Sequence, residues 1–129
     1  MDTIDFQGKT DTYILRESLK SEGIDESMIN RKLERLKERY ISHLRETLKP
    51  DVGEALPGVK PLLDRLKDSR NVLLGLLTGN FADGAEVKLE RFGMSHYFSF
   101  GVFGDSVYDR NDMPPLARGI VREKFGVDP

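Results

Sequence analysis

An uninterrupted apolar segment in the second half of the chain constrains the fold most. Residues 72–77 read VLLGLL, and Thr78-Gly79 ends the run. An edge strand would alternate apolar with polar side chains, whereas a strand inside a parallel sheet is apolar on both faces. The segment therefore predicts a buried parallel strand. Such strands alternate with helices in α/β folds.

Helical patterns lie on both sides of this strand. Pro57-Gly58 opens a helix before it, and an amphipathic helix that stops at Gly93 follows it. A second strand, rich in aromatic residues, is predicted over residues 97–103, and a last helix over about 114–125. This order is typical of a doubly wound, Rossmann-like α/β core. The apolar positions of the two flanking helices are Val59, Leu62, Leu63 and Leu66, then Phe81, Ala85, Leu89 and Phe92.

The first half of the chain predicts two helices and no strand. Thr10 or Thr12 can cap a helix that runs to about Glu22. Asp25 can cap a second, longer helix, whose apolar residues recur with a period near 3.6. One stripe of this helix consists of Ile29, Leu33, Leu36, Tyr40, Leu44 and Leu48.

The change of pattern between the halves suggests a division of the chain. Pro50 ends the long helix, and two prolines and a glycine lie between residues 49 and 57. We therefore expect an all-helical cap at 1–49, a linker at 50–56 and a partial α/β core at 57–129.

Composition and charge exclude several classes of protein. The 129 residues include no cysteine, which excludes disulfides and thiolate zinc sites, and a net charge of −2 gives no basic field for nucleic acid. No apolar run reaches the roughly 18 residues of a membrane span, and no signal peptide is visible, so we expect cytoplasmic residence. Arg31, Arg35 and Arg39 fit a solvated helix face better than a nucleic-acid stripe. His43 and His96 stand alone, with no cluster at metal spacing.

The first candidate site is Thr78-Gly79-Asn80, where the apolar strand ends and a helix begins. Ligands of open α/β sheets bind at the carboxyl ends of strands, and the start of a helix favours an anion such as phosphate. Gly79 would let the backbone approach the ligand, and Thr78 would donate its hydroxyl proton. The alternative is structural: Asn80 caps the helix, Gly79 makes the turn and Thr78 merely ends the strand.

A second candidate region follows the second strand. Residues 101–111 form a loop rich in glycine and aspartate, which lies at the same end of the sheet if the strands are parallel. Arg110 would bring a forked cation to a bound phosphate, and the alternative is a solvated arginine in a turn. Residues 8–11, GKTD, share letters with a Walker loop, but no apolar strand precedes them and the motif spacing is absent.

Together these segments resemble the haloacid-dehalogenase-like (HAD) superfamily, in particular its phosphoglycolate-phosphatase-like branch with a helical cap. GKTD at 8–11 and ILRE at 14–17 are similar to the cap segment of that branch. The strand that ends in Thr78 is similar to the second family motif, whose hydroxyl and following amides hold the transferring phosphoryl group. Residues 103–111 are similar to the third motif region, where Arg110 stands in place of the usual lysine.

The resemblance implies a hydrolase of a small phosphate monoester of the phosphoglycolate kind. Family chemistry has an aspartate attack phosphorus while Mg²⁺ offsets charge, and the other site residues stabilise the transfer. The small-molecule phosphate ester would be the partner, with neither nucleic acid nor membrane involved. The implied site residues are Thr78 and Arg110 for catalysis, Thr78, Gly79 and Asn80 for phosphate, and Thr10 and Asp11 for substrate choice.

Two family motifs are absent from the sequence. The nucleophile belongs to an Asp-x-Asp-Gly-Thr loop and the metal ligands to a later acidic motif, and neither occurs here. The resemblance therefore implies a chain truncated at both ends, with no metal ligands of its own and no turnover alone. The loss of a central strand would also expose an apolar sheet edge that invites self-association. The alternative function is a non-catalytic module that binds phosphate or a sugar phosphate.

Overall fold

The computed structural model of the chain describes residues 5–49 and 53–129. Within these ranges the chain forms five α-helices, a two-stranded parallel sheet and short 3₁₀ turns at Ser95–Tyr97 and Arg110–Asp112. The predicted fold class, a partial doubly wound α/β core with an all-helical part, is confirmed. No helix in these ranges is long and apolar enough to cross a membrane.

The first two helices begin where the sequence predicts. Helix α1 spans Asp11–Ser21, and the Thr10 hydroxyl accepts a hydrogen bond from the Tyr13 N–H at 3.1 Å. Helix α2 spans Glu26–Thr47, and the Asp25 carboxylate accepts one from the Met28 N–H at 3.0 Å. Both caps satisfy a backbone N–H that the first helical turn leaves unpaired. The predicted stop at Pro50 lies outside the described residues.

The buried face of α2 differs from the predicted stripe by one position. Ile29 and Ile41 are buried, whereas Tyr40 is 38% exposed. Ile41 lies against Gly84, where an added Cβ would come within 3.2 Å of its Cδ1 atom. The Tyr40 ring lies 3.7 Å from the same added Cβ and meets the Phe81 ring edge-on, with centroids 6.0 Å apart. The stripe was wrong here because packing against another helix, not period alone, selects the buried residue.

The second half alternates helix and strand as predicted. The two strands pair in parallel, with Leu76 opposite Gly101 and Leu77 opposite Val102. Val102, Met113 and Ala117 form the core beneath the sheet. The elements in chain order are α3 (Val59–Lys67), β1 (Gly75–Leu77), α4 (Ala82–Arg91), β2 (Phe100–Val102) and α5 (Met113–Phe125).

The apolar run is not buried on both faces, contrary to the prediction. Only its last three residues form β1, and Leu73 and Leu77 are each 39% exposed. Among the described residues β1 pairs with β2 alone, so one edge of β1 is open. Beside it lies an open space of about 940 Å³, the edge cleft, lined by the apolar run and by α5. Leu62, one of the apolar residues of α3, is also exposed.

The proposed division into cap, linker and core stays a prediction. Residues 50–52 of the linker lie outside the described ranges. The two parts touch nevertheless, because α2 packs against α4 and the start of α1 lies against the end of β1.

We predict that the chain self-associates through the edge cleft, because open strands and exposed leucines favour pairing with another chain. Leu73→Lys places a charge in the cleft and should shift the sedimentation profile towards monomer at high concentration. Leu62→Lys adds the same charge on α3 and should leave association unchanged. A parent chain that stays monomeric and melts cooperatively at high concentration would contradict the prediction.

Candidate functional site

The candidate site begins where β1 ends. The Thr78 N–H donates to the Val102 carbonyl at 3.0 Å, which extends the sheet by one hydrogen bond. The chain then turns through Gly79 and Asn80 into α4, whose N-cap is Phe81. Phe81, and not Asn80, is the N-cap, and the Asn80 side chain bonds to Thr78 and Lys88 rather than to a helix amide. The structural alternative that Asn80 caps this helix is therefore wrong.

Asn80 holds the Thr78 hydroxyl from two sides. The Asn80 N–H and side-chain Nδ2 donate to Thr78 Oγ1, at 3.2 and 2.7 Å. Asn80 Oδ1 in turn accepts from the Lys88 ammonium. Because a hydroxyl has two acceptor positions and one proton, both lone pairs of Thr78 are occupied and its proton is left to donate. We call Thr78, Gly79, Asn80 and Lys88 the Thr78 cluster.

Two donors of the Thr78 cluster have no acceptor among the residues described. No hydrogen bond from the Thr78 hydroxyl or from the Gly79 N–H ends on another described residue. Gly79 is buried. Buried donors are paired in almost all native proteins, so two neighbouring free donors indicate a place for an external acceptor.

Two amides at the start of α4, in contrast, are already paired with carboxylates of the chain. The Phe81 N–H donates to Asp11 Oδ2 at 2.9 Å, and the Ala82 N–H donates to Asp105 Oδ2 at 2.6 Å. Lys37 of α2 forms an ion pair with Asp105 at 2.5 Å. The positive end of α4 therefore holds two internal anions where the sequence suggests a bound phosphate.

The segment 9–11 crosses directly over Gly79. The Asp11 N–H donates to the Gly79 carbonyl at 2.7 Å, and a Cβ at Gly79 would lie 2.7 Å from the Lys9 carbonyl oxygen. The lack of a side chain at Gly79 is therefore used by the chain's own backbone. The backbone of Gly104 lies equally close, since a Cβ at Gly104 would overlap the Gly79 carbonyl oxygen.

Thr10 has a structural position in this crossing. It is fully buried, and its hydroxyl donates to the Tyr108 carbonyl at 2.9 Å while accepting from Tyr13. The Thr12 hydroxyl donates to the Gly104 carbonyl at 2.5 Å. These hydrogen bonds join α1 to the loop after β2. The role of Thr10 in substrate choice stays a prediction.

Burial raises the pKa of the Asp11 carboxyl, although the Phe81 N–H and the Lys88 ammonium both act to lower it. The nearby charge of Asp105 adds to the rise. The hydrogen bond to Asp105 raises the pKa of Lys37, so the Lys37 ammonium keeps its proton in this ion pair. Asp11, at the start of α4, is therefore the carboxylate whose negative charge is energetically unfavourable in the folded chain.

Arg110 does not join the Thr78 cluster. It lies exposed in the 3₁₀ turn Arg110–Asp112, and no hydrogen bond or ion pair links it to Thr78 among the described residues. Arg110 lines a separate cleft of about 490 Å³ together with Lys9, Tyr13 and Tyr108, which we call the tyrosine cleft. Its proposed part in phosphoryl transfer stays a prediction.

Lys88 is the cation that sequence reasoning missed. It lies seven residues after the buried Phe81 and three after the buried Ala85, spacings that put all three side chains on one face. A lysine on the buried face of a helix that starts at a candidate site is the signal that could have identified it.

The described residues do not fit a magnesium site. No group of three or more His, Cys, Asp or Glu side chains in the described ranges could hold a metal ion. Asp11 and Asp105, the carboxylates nearest the cluster, each accept a backbone hydrogen bond instead. We therefore assign no step to Mg²⁺ in these residues.

The fold is a partial α/β core whose candidate site lies at the end of a parallel strand. The model of the haloacid dehalogenase-like hydrolase family matches residues 2–124. The chain belongs to this family, and the resemblance predicted from its motifs is confirmed at that level. No curated protein matches the sequence.

Gly79→Ala should destabilise the chain by about 1–3 kcal/mol, because its Cβ would meet backbone that cannot move aside freely. Gly119→Ala is the matched control, since nothing lies within 4 Å of its Cβ. In the interior of α5 this control should gain up to about 1 kcal/mol. Urea unfolding of both variants gives the two changes. If both variants changed the unfolding free energy equally, the close crossing at Gly79 would be contradicted.

The raised pKa of Asp11 predicts how stability depends on pH. The folded chain binds this proton more tightly than the unfolded chain, so the unfolding free energy falls as pH rises from the ordinary pKa through the raised one. Asp11→Asn has no proton to lose and should flatten that fall, which begins near the ordinary pKa of 3.8. Its amide oxygen can still accept from the Phe81 N–H.

Asp11→Ala serves as the partner variant, because it removes the charge and the acceptor together. It should show the same flat pH dependence at a lower stability, by about 1–3 kcal/mol for the unpaired Phe81 N–H. Urea unfolding across the pH range measures both. If the unfolding free energies of the parent and of Asp11→Asn changed in parallel with pH, Asp11 would have the same pKa in the folded and the unfolded chain.

Proposed function

We propose that the Thr78 cluster holds the phosphoryl group of a small phosphate monoester, as part of a haloacid dehalogenase-like hydrolase. The observation that carries this proposal is the pair of free donors, the Thr78 hydroxyl and the Gly79 N–H, at the carboxyl end of β1. Two donors on adjacent residues suit two oxygens of one phosphoryl group. Donors fixed before the ligand arrives stabilise charge that develops during transfer.

The hydrogen bonds behind Thr78 support the proposal. Lys88 donates to Asn80, and Asn80 donates to Thr78, so each step orients the next. The Lys88 charge polarises the Asn80 amide, which makes the Thr78 hydroxyl a stronger donor. Lys88 therefore acts on the ligand through this chain of hydrogen bonds rather than by a direct ion pair. Asn80 therefore acts as a positioning residue, and Thr78 and Gly79 would contact the ligand.

The chemistry of the bond cleavage would come from outside these contacts. No Asp-x-Asp pair occurs in the 129 residues, so the family's aspartate nucleophile has no counterpart in its usual motif. We propose that the 129-residue chain alone binds phosphate esters without turning them over. We also propose a small cytoplasmic substrate of the phosphoglycolate kind, since the motifs resemble that branch.

A non-catalytic module that binds phosphate or a sugar phosphate is the second candidate. The pairing of the α4 amides with Asp11 and Asp105 favours it, because a site that already holds two anions is poorly arranged for a highly charged transition state. The two candidates differ in whether a longer polypeptide that contains this chain hydrolyses a phosphate ester.

The test of the proposal is phosphate binding by Thr78 variants of the 129-residue chain. Thr78→Val removes the donor with little change of shape and should weaken binding of inorganic phosphate roughly tenfold, as expected for a hydrogen bond to a charged group. Thr78→Ser keeps the hydroxyl and should bind like the parent. Isothermal titration calorimetry measures the affinities, and p-nitrophenyl phosphate with Mg²⁺ should show no turnover. Equal affinity of the valine and serine variants would reject the proposal.

A further inference from the structure

An apolar pocket of about 300 Å³ lies between α4 and the segment around β2, and we call it the phenylalanine pocket. Its apolar lining includes Leu76 of β1, Leu89 of α4, Phe98 and Phe103. None of the four residues of the Thr78 cluster lines it. The pocket is therefore a place of its own in the fold, and its volume lies at the lower end of the range of small-molecule sites.

The wall formed by Phe103 is fixed by the glycine two residues before it. A Cβ at Gly101 would lie 2.4 Å from Cζ of the Phe103 ring, so the ring lies directly against the Gly101 backbone. Gly101 pairs with Leu76 in the sheet, and side chains two residues apart on a strand share a face. A wall that is fixed before binding loses little conformational freedom when a ligand arrives.

The inner part of the pocket contains a hydroxyl without a partner. The Ser95 side-chain oxygen is buried and forms no hydrogen bond with any described residue, and Ser95 lines the pocket. Buried polar groups of native proteins are almost always paired. The Ser95 hydroxyl therefore indicates where a polar atom of a ligand would lie, and it can donate to that atom or accept from it.

Glu86 places an unpaired negative charge at the exposed margin of the same pocket. Its carboxylate forms no ion pair or hydrogen bond with another described residue, and no lysine, arginine or histidine lines the pocket. Glu86 lies four residues after Ala82 and three before Leu89, which also line the pocket, so the three share a face of α4. A lone carboxylate beside apolar walls favours a ligand with a positive charge.

We propose that the phenylalanine pocket binds a small aromatic amine whose ring carries a hydroxyl group, such as tyramine. The ring packs against Phe98 and Phe103, since aromatic rings pair favourably in tilted or offset arrangements. The ring hydroxyl lies inside and bonds to the buried Ser95 oxygen, and the ammonium lies at the margin beside Glu86. One buried and one exposed polar group suit a ligand with a polar atom at each end of an apolar body. This site goes beyond the proposed function.

Calorimetry with tyramine, para-ethylphenol and phenethylamine separates the contributions of the two polar ends. Para-ethylphenol lacks the amine, and phenethylamine lacks the ring hydroxyl. The parent should bind tyramine roughly fivefold more tightly than either, as expected for one marginal ion pair and for one hydrogen bond. No binding of tyramine, or equal binding of tyramine and para-ethylphenol, overturns the inference.

Glu86→Gln should weaken tyramine roughly fivefold and leave para-ethylphenol unchanged. Glu90→Gln is the matched control, because Glu90 is an exposed glutamate of the same helix that does not line the pocket. It should bind all three compounds like the parent. If both variants weakened tyramine equally, the attraction would be a general effect of charge and the inference would fail.

Ser95→Ala should weaken tyramine roughly fivefold and leave phenethylamine unchanged. Thermal melting checks that this variant folds, and Glu86→Gln, at an exposed position, tests the same pocket if it does not. A folded Ser95→Ala that binds tyramine like the parent overturns the inference. Thr78→Val should bind tyramine like the parent. If Thr78→Val loses tyramine while Glu86→Gln keeps it, the amine lies at the Thr78 cluster, and the inference fails independently of the phosphate proposal.

Discussion

The crossing of residues 9–11 over Gly79 is the contact on which the rest of the site depends. Asp11 forms this contact with both its backbone and its side chain. Its N–H donates to the Gly79 carbonyl, and its carboxylate accepts from the Phe81 N–H. One residue of α1 therefore fixes the turn that joins β1 to α4. Only glycine permits so close an approach, since a Cβ would meet the Lys9 backbone.

This crossing also decides which donors remain for a ligand. It uses the Gly79 carbonyl as an acceptor, whereas the Gly79 N–H and the Thr78 hydroxyl have no acceptor among the described residues. It supplies Asp11 to α4, and the loop after β2 supplies Asp105. The same packing that assembles the site thus removes the Phe81 and Ala82 amides from it. A helix start is an anion site only while its amides are unpaired.

The sequence predicted what local hydrogen bonds determine and missed what distant elements determine. The starts of α1 and α2 follow from Thr10 and Asp25, each of which caps an amide three residues ahead. The order of helices and strands followed from the periodicity of the apolar residues along the chain. The burial of Ile41 instead of Tyr40 and the exposure of the apolar run depend on neighbours that periodicity does not specify. For the site, Thr78 was identified at a strand end, whereas Lys88 is visible only once α4 is packed.

The charges around α4 indicate how this chain would recognise phosphate. Asp11 and Asp105 are offset by Lys88 and Lys37, so the start of the helix is close to electrically balanced. A phosphate that approached it would meet carboxylates as near as the cations, and the helix dipole would add little. The free donors at Thr78 and Gly79 act only at hydrogen-bond distance and in fixed directions. Recognition there would therefore depend on the geometry of the phosphoryl oxygens more than on total charge, and long-range attraction of anions would fall to exposed cations such as Lys9 and Arg110.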